Sequence, residues 1–455
     1  MKKLILALAV LLRFYRIPQN LVFHYELGAN YLAIKNFIEA GRLPLLGPPT
    51  SHPWLSFGPL YYWIFAPILA FFKFNPTGGA YFFALAGVVA VYLNYLVVEK
   101  LFNRKTAVIS SFILAISPAW ISLAREARFF SLSAVFLYPF LLFFVKAIEG
   151  KISLLWAGFF LGVMLNFHLS PIILIFPAAI LIFSNRKKLS QNSIPKGILG
   201  FVIPNLPFLL ADAQGGFGML ANLLLWIPYR IAGFVGLYPK NTISSGVLTG
   251  NLGSLYEFIT RAFVPERGLL VLLIVLGITA SLFVIKNKKV ALKTLLLFLI
   301  LGYLGIFVHG DPPYHYYLPL YPILPILVAV FLVRINRRVI NLVFLGALTL
   351  VNLKYYFSDK WFYQMQDILV VGKPIPYSLQ LAATNDIISD AKGAALSLKR
   401  VGEYDYFEEN YAQNYRYLLW LKGNEPVIGS GLVYTIIENV QSGKLIVTKT
   451  YDKAQ

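Results

Sequence analysis

Residues 23–65 read FHYELGANYLAIKNFIEAGRLPLLGPPTSHPWLSFGPLYYWIF. One short apolar run precedes them, and a succession of long apolar segments follows. This polar, aromatic and proline-rich stretch is far longer than a connector needs, and loops beyond about 12–15 residues in a compact protein tend to be functional. Glu26 falls just past the first run. Behind it, a helical period over Ala29 to Ala40 puts Tyr31, Ile34 and Ile38 on one face and Lys35 and Glu39 elsewhere. Such a helix is expected to lie flat on a membrane and hold Glu26 at the lipid surface. A carboxylate there, followed by an amphipathic helix and an aromatic clamp, reads as an active-site loop spanning 23–78.

Composition fixes the surroundings of that loop. The chain of 455 residues is 58% hydrophobic, with a mean hydropathy of +0.68, well above the apolar share of a soluble domain. It reads as an all-α polytopic membrane protein. There is no cysteine, which excludes disulfides, thiol nucleophiles and cysteine metal sites. The net charge of +20 does not point to nucleic acid, because residues 1–355 hold thirty Lys/Arg against nine Asp/Glu, whereas residues 356–455 hold ten against eleven. The excess belongs to the membrane part, where its partners are anionic head groups and phosphates. No P-loop, GxSxG, HExxH or His-Cys metal pattern occurs.

The start, MKKLILALAVLLRFYRIP, resembles a signal peptide but lacks a small-residue cleavage site, and Arg13 and Arg16 interrupt it. It is read as a retained first span. Apolar segments recur at about 79–98, 106–123, 131–147, 152–168, 171–184, 197–211, 268–285, 294–309, 317–333 and 339–355, making eleven expected spans, helical because open sheet cannot satisfy its backbone in lipid. With the amino terminus cytoplasmic, the inside loops hold sixteen Lys/Arg and the opposite short loops six. That orientation places the Glu26 loop, the 212–267 segment and everything after Tyr355 outside a cell membrane. The 212–267 segment carries MLANLLLWIPYRIAGFVGLY, which Pro228 and Arg230 make interfacial rather than spanning. The balanced tail, 356–455, with candidate strands ILVV, LVYTIIENV and KLIVTKTY, reads as a small α+β domain.

Acidic residues in the membrane part are few, and none is expected at mid-membrane, where a pump would keep one. Glu26 suits a general base near an acceptor hydroxyl; the alternative is a carboxylate favouring a helix dipole. Glu126 lies between Arg125 and Arg128 in ISLAREARFFSL. Two guanidiniums at the head-group plane match phosphate oxygens, and Glu126 can orient one of them or bind sugar; an interfacial ion-pair cluster with snorkelling arginines is the alternative. Tyr61 and Tyr62 in GPLYYW, with His315 and Tyr316 in DPPYHYYLPLYP, bring aromatics and a histidine to the same surface. An aromatic belt would explain many of these tyrosines, but a histidine among them can donate to phosphate or assist a metal.

The pieces RFY…P from Arg13, the acidic first loop, GRLPLLGPPTS, GPLYYW, AREARFFSL and HYYLPLYP, spread in order from residue 13 to 322, resemble the GT-C superfamily of integral-membrane glycosyltransferases. The likeness is to relatives of protein O-mannosyltransferases and lipid A aminoarabinose transferases. It implies a GT-C-like fold with external juxtamembrane helices and inverting hexosyl or pentosyl transfer. The implied donor is a polyprenyl-phosphate sugar, and the acceptor is a glycan, lipid or protein on the outer face. Glu26 then stands at the position of the family's first-loop Asp, as base, and Arg125, Glu126 and Arg128 carry the second motif. The family's paired first-loop acids are credited with a divalent metal; here Leu27 follows Glu26. A lipid or polysaccharide carrier and a non-catalytic protein of the same fold are the competing readings.

Overall fold

The computed structural model describes residues 1–238, 242–266, 268–286, 288–310, 312–358, 375–401, 412–439 and 442–451. Each expected apolar segment coincides with helix. The first is α1 (Lys2–Phe14), followed after the first loop by α4 (Pro76–Leu101), the pair α5 (Arg104–Ile116) and α6 (Pro118–Arg125), then α7 (Ser131–Ile148) and α8 (Leu155–Leu165). After α9 (Ile175–Ser184) and α10 (Ser193–Gln214) come α13 (Leu269–Phe283), α14 (Val290–Phe307), α15 (Ile323–Ile335) and α16 (Arg338–Tyr356). By length and composition, α4, α7, α10, α14 and α16 can each cross a membrane, and α5 with α6 form a sixth candidate bent by 59°. Shorter apolar helices, α8, α13 and α15 among them, complete the bundle. The orientation expected from the loop basic bias is testable: reporter fusions after Lys188 and after Gln455 should report opposite sides of the membrane, and the same side for both would refute the topology.

The first loop contains more helix than its sequence announces. α2 (Tyr25–Glu39) starts four residues before the expected Ala29, so Glu26 sits in its first turn. A hairpin-like segment follows, closed by Gly47 N–H to Phe57 O (2.8 Å) and Phe57 N–H to Pro48 O (2.9 Å). The aromatic clamp is itself a helix, α3 (Leu60–Phe71), with Pro67 inside it. In the 212–267 segment, α11 (Gly218–Phe234) and α12 (Ser245–Arg261) form. Asp212 starts α11 by accepting from Met219 N–H (2.9 Å) and Leu220 N–H (2.8 Å), the orphan donors of a helix N-terminus.

The tail folds as α17 (Tyr377–Ala391), β1 (Leu396–Val401), α18 (Gln413–Leu421), β2 (Leu432–Asn439) and β3 (Lys444–Tyr451). β1 pairs parallel with β2, and β2 antiparallel with β3. Two candidate strands are found as β2 and β3; the third, ILVV at 368–371, lies outside the described residues, and β1 went unread. Alternation along β2 buries Leu432, Tyr434 and Ile436 against Ile387, Tyr415 and Leu419. Glu438, on the same face, receives the Tyr415 hydroxyl (2.5 Å) and the Arg400 guanidinium Nε (2.9 Å).

The tail explains where α2 lies. Tyr31 and Ile34 are fully buried, but under α18 rather than lipid: Tyr31 meets Tyr417 at 5.4 Å, and Gly28 packs against the backbone of Gln413 and Asn414. Lys35, expected off the apolar face, is buried and reaches Glu425 at 3.1 Å. Expectation and structure part because an apolar helix face suits a protein surface as well as a bilayer.

The break between α5 and α6 is capped from two sides. Pro118 cannot continue the ladder of α5, which frees the last carbonyls of that helix. Arg13, fully buried, donates to Ala115 O (3.0 Å) and Leu114 O (3.2 Å). Tyr356 donates to Ile116 O (2.6 Å), as does Asn352 (3.1 Å). A buried guanidinium is costly unless its donors are satisfied, and these carbonyl acceptors offset that cost.

Candidate active site

Helix α6 ends at Arg125, where Glu126 leaves helical geometry (φ −86, ψ 116). A tight turn follows, with Arg128 N–H to Glu126 O at 2.7 Å and Ser131 N–H to Arg128 O at 3.0 Å, before α7 begins. The turn throws Glu126 and Arg128 toward the first turn of α2. Arg128 lies between two carboxylates: Nε is 3.1 Å from Glu126 Oε2, and Nη1 is 3.9 Å from Glu26 Oε2. Residues a hundred positions apart thus form one cluster.

The two acids are not equivalent. Glu126 is buried, and its other oxygen accepts from the Ser122 hydroxyl (3.0 Å). The Ser122 bond holds the Glu126 carboxylate beside the Arg128 guanidinium. Glu26 stands at a distance from Arg128 too long for a hydrogen bond, and its side chain is 31% exposed. That exposure coexists with dense surrounding protein, as for a group lining a recess; burial accordingly pushes its carboxyl up from the ordinary range, and Arg128 draws it partly back. Glu126 is pushed up as well, by burial first, with Arg128 and Ser122 opposing. Glu26 is therefore the carboxylate that an incoming hydroxyl can reach.

A histidine and aromatic wall continues from Arg128. Its guanidinium sits over Phe130 (5.7 Å), on which His315 stacks at 5.0 Å; His168 meets His315 edge-on at 5.0 Å, and Tyr316 packs on His168 at 5.5 Å. Burial pushes His168 down to about 3. His315 is likewise lowered, by burial and then by His168, Arg128 and His309. Both rings are neutral at pH 7. His168 Nδ1 accepts from Ser170 N–H (3.1 Å), so its proton is on Nε2. These neutral rings can hydrogen-bond a substrate, and Arg128 brings positive charge beside them.

The sequence-predicted residues divide accordingly. Glu26, Glu126, Arg128, His315 and Tyr316 come together. Arg125 turns back: its Nη1 donates to Tyr15 O (2.7 Å) and Arg13 O (3.0 Å) at the end of α1. Tyr62 binds Asn30 Oδ1 (3.2 Å) and is buried between α3 and α2. Tyr61 is buried against Phe65 and Phe129, within electrostatic range of Glu26. Sequence reasoning gave no role to Ser122 or His168; the signal for Ser122 was its place one helical turn before Glu126. For a divalent metal the donor set does not fit: the Arg128 guanidinium stands between the two carboxylates, Leu27 beside Glu26 is buried, and among the described residues no three His, Asp or Glu side chains converge as ligands.

Similarity to known proteins extends over part of the sequence and over the fold. Residues 51–210 match the family described as dolichyl-phosphate-mannose-protein mannosyltransferase, a match that includes Glu126 and Arg128 but not Glu26. Over 102 residues the chain is 36% identical to YkcB of Bacillus subtilis (strain 168), itself only proposed to be a mannosyltransferase; the match covers 22% of this chain and 14% of that protein. The whole fold is similar to ArnT from Cupriavidus metallidurans, at a TM-score of 0.64 and 11% identity over 98% of this chain and 97% of that one. Against the same protein bound to undecaprenyl phosphate the TM-score is 0.60, with 12% identity and the same coverage. The oligosaccharyltransferase of Archaeoglobus fulgidus matches at 0.50, with 15% identity over 93% of this chain and 63% of that one.

Proposed function

We propose that this chain, whose fold is similar to those of ArnT and the Archaeoglobus fulgidus oligosaccharyltransferase, is a multi-pass membrane glycosyltransferase of the GT-C superfamily that moves a sugar from a polyprenyl-phosphate donor to an acceptor hydroxyl at the outer face of the membrane. The observation that carries the reading is Arg128 held between a buried, bonded Glu126 and a reachable Glu26. In such a donor the phosphate is the leaving group. The site must neutralise its growing charge, orient the anomeric carbon and remove a proton from the acceptor. Arg128 supplies the positive charge and Glu26 takes the proton. The neutral His315 and Tyr316, with the Phe130 ring, form a wall for the sugar. ArnT bound to undecaprenyl phosphate supports the donor class. The carrier reading asks for a polar path through the bundle, whereas buried Arg13, Asn94 and Asn352 spend their donors on backbone carbonyls or on Ser110 and Ser111.

The test is donor binding. Arg128→Ala should weaken binding of a polyprenyl phosphate by at least tenfold, since a charge-assisted contact is worth about 1.5–3 kcal/mol, and Arg128→Lys should restore it only in part because the fork is lost. Parental affinity in Arg128→Ala, measured on detergent-solubilised protein, would remove Arg128 from the donor site.

A further inference from the structure

We infer that Arg13 and Arg125 form a two-point latch that positions Arg128 against Glu26. The inference rests on the reading of Arg128 given above and extends it to two arginines outside the reacting groups. From α1, the Arg13 side chain donates to Leu114 O and Ala115 O, at the end of α5. From the end of α6, the Arg125 side chain donates to the carbonyls of Arg13 itself and of Tyr15, where α1 ends. Arg125 therefore binds the backbone at the end of Arg13's helix, while Arg13 binds the end of α5, the helix that α6 continues across the bend. The direction of α6 relative to α1 is set at two points, on either side of the bend.

Both helices run into the site. α6 leads directly to the turn with Glu126 and Arg128, and α1 is followed after ten residues by α2 and Glu26. The latch is thus a bonded route between the two halves of the 3.9 Å Arg128–Glu26 contact. Close packing leaves it no slack. A Cβ on Gly87 of α4 would fall 2.4 Å from Ala124 Cβ and 3.0 Å from both Arg13 Cδ and Nε, so α4 presses α6 and Arg13 together. Among the described residues Arg13 has no carboxylate at ion-pair distance, and Asn352 and Tyr356 show that a neutral side chain can cap the same break. What the guanidinium adds is a planar fork over two successive carbonyls, and hence an angle.

Arg13→Gln retains one amide donor and removes the fork. It should lower turnover on the order of 10- to 100-fold, the size expected for a misplaced group, and raise amide hydrogen exchange in 126–131 while α14 stays at its parental rate. In the Arg128→Ala background the same substitution should cause no further loss, since it acts through Arg128. Additive losses, or unchanged exchange at 126–131, would overturn the latch. If Arg13→Gln does not accumulate folded, Arg125→Gln leaves the break capped and should give the same exchange pattern and the same non-additivity. Full turnover in Arg128→Ala alone would instead defeat the reading of Arg128, while the exchange measurement would still report on the latch.

Discussion

Glu26→Gln should abolish most sugar transfer while leaving donor binding intact. The substitution keeps the size of the side chain and its hydrogen-bonding ends but removes the basic oxygen, and loss of a general base lowers turnover by about 10²–10⁴-fold, or roughly 3–5 kcal/mol of barrier. The pH profile of kcat/KM gives a second signature. Burial raises the Glu26 carboxyl and Arg128 only partly offsets it, so the acid limb should lie above the ordinary glutamate value of about 4.3. Below that limb the carboxyl is protonated and cannot accept. Arg128→Ala removes the opposing charge and should move the limb further up. Stability has the matching sign: a carboxyl whose folded pKa exceeds its unfolded one weighs against the fold once pH rises through that interval, so Glu26→Gln should keep or raise the melting temperature at neutral pH. Turnover at the parental rate, under conditions where chemistry limits, would exclude Glu26 as base and direct attention to Glu126.

The fold was readable because lipid allows so few solutions. A span must be apolar and helical, and every apolar segment read from the sequence coincides with helix. Two features escaped for identifiable reasons. α3 has twelve residues and an internal proline, too short and too broken to register as an element beside full spans. α2 carries an apolar face that fits a membrane or a protein equally well, and what decides between them, Glu425 opposite Lys35 and α18 opposite Gly28, lies almost four hundred residues away. The site shows the same division. Arg125, Glu126 and Arg128 were recognisable as a cluster from three adjacent charges. That Arg128 faces Glu26 while Arg125 faces α1 depends on where α6 stops, and a one-residue difference in a helix end redirects a side chain by about 100°. No charge pattern encodes that.

Gly28→Ala should loosen the tail from the rest of the chain. α2 and α18 cross at Gly28, where an added Cβ would lie 2.3 Å from Asn414 N, 2.4 Å from Gln413 C and 2.5 Å from Asn414 Cα. All three are backbone atoms, so no rotamer change relieves the clash and one helix must move. Overpacking of this kind costs about 1–3 kcal/mol. The contacts strained with it are those holding the tail: Gln380 to Phe23 O (2.8 Å), Asn414 to Gln380 Oε1 (3.0 Å), and Tyr417 to Phe74 O. Phe23 is three residues before Glu26, so displacement of the tail also displaces the base. The expected result is a lower melting temperature, faster proteolytic loss of the tail, and turnover reduced together with the fraction of molecules that keep the tail docked. Glu425→Gln is the control. It breaks only the Lys35 pair, whose acidic partner is about half exposed, and such pairs are worth about 0–1 kcal/mol. If Gly28→Ala melts and resists protease like the parent, α2 and α18 do not pack backbone to backbone, and Glu26 is held by the membrane bundle alone.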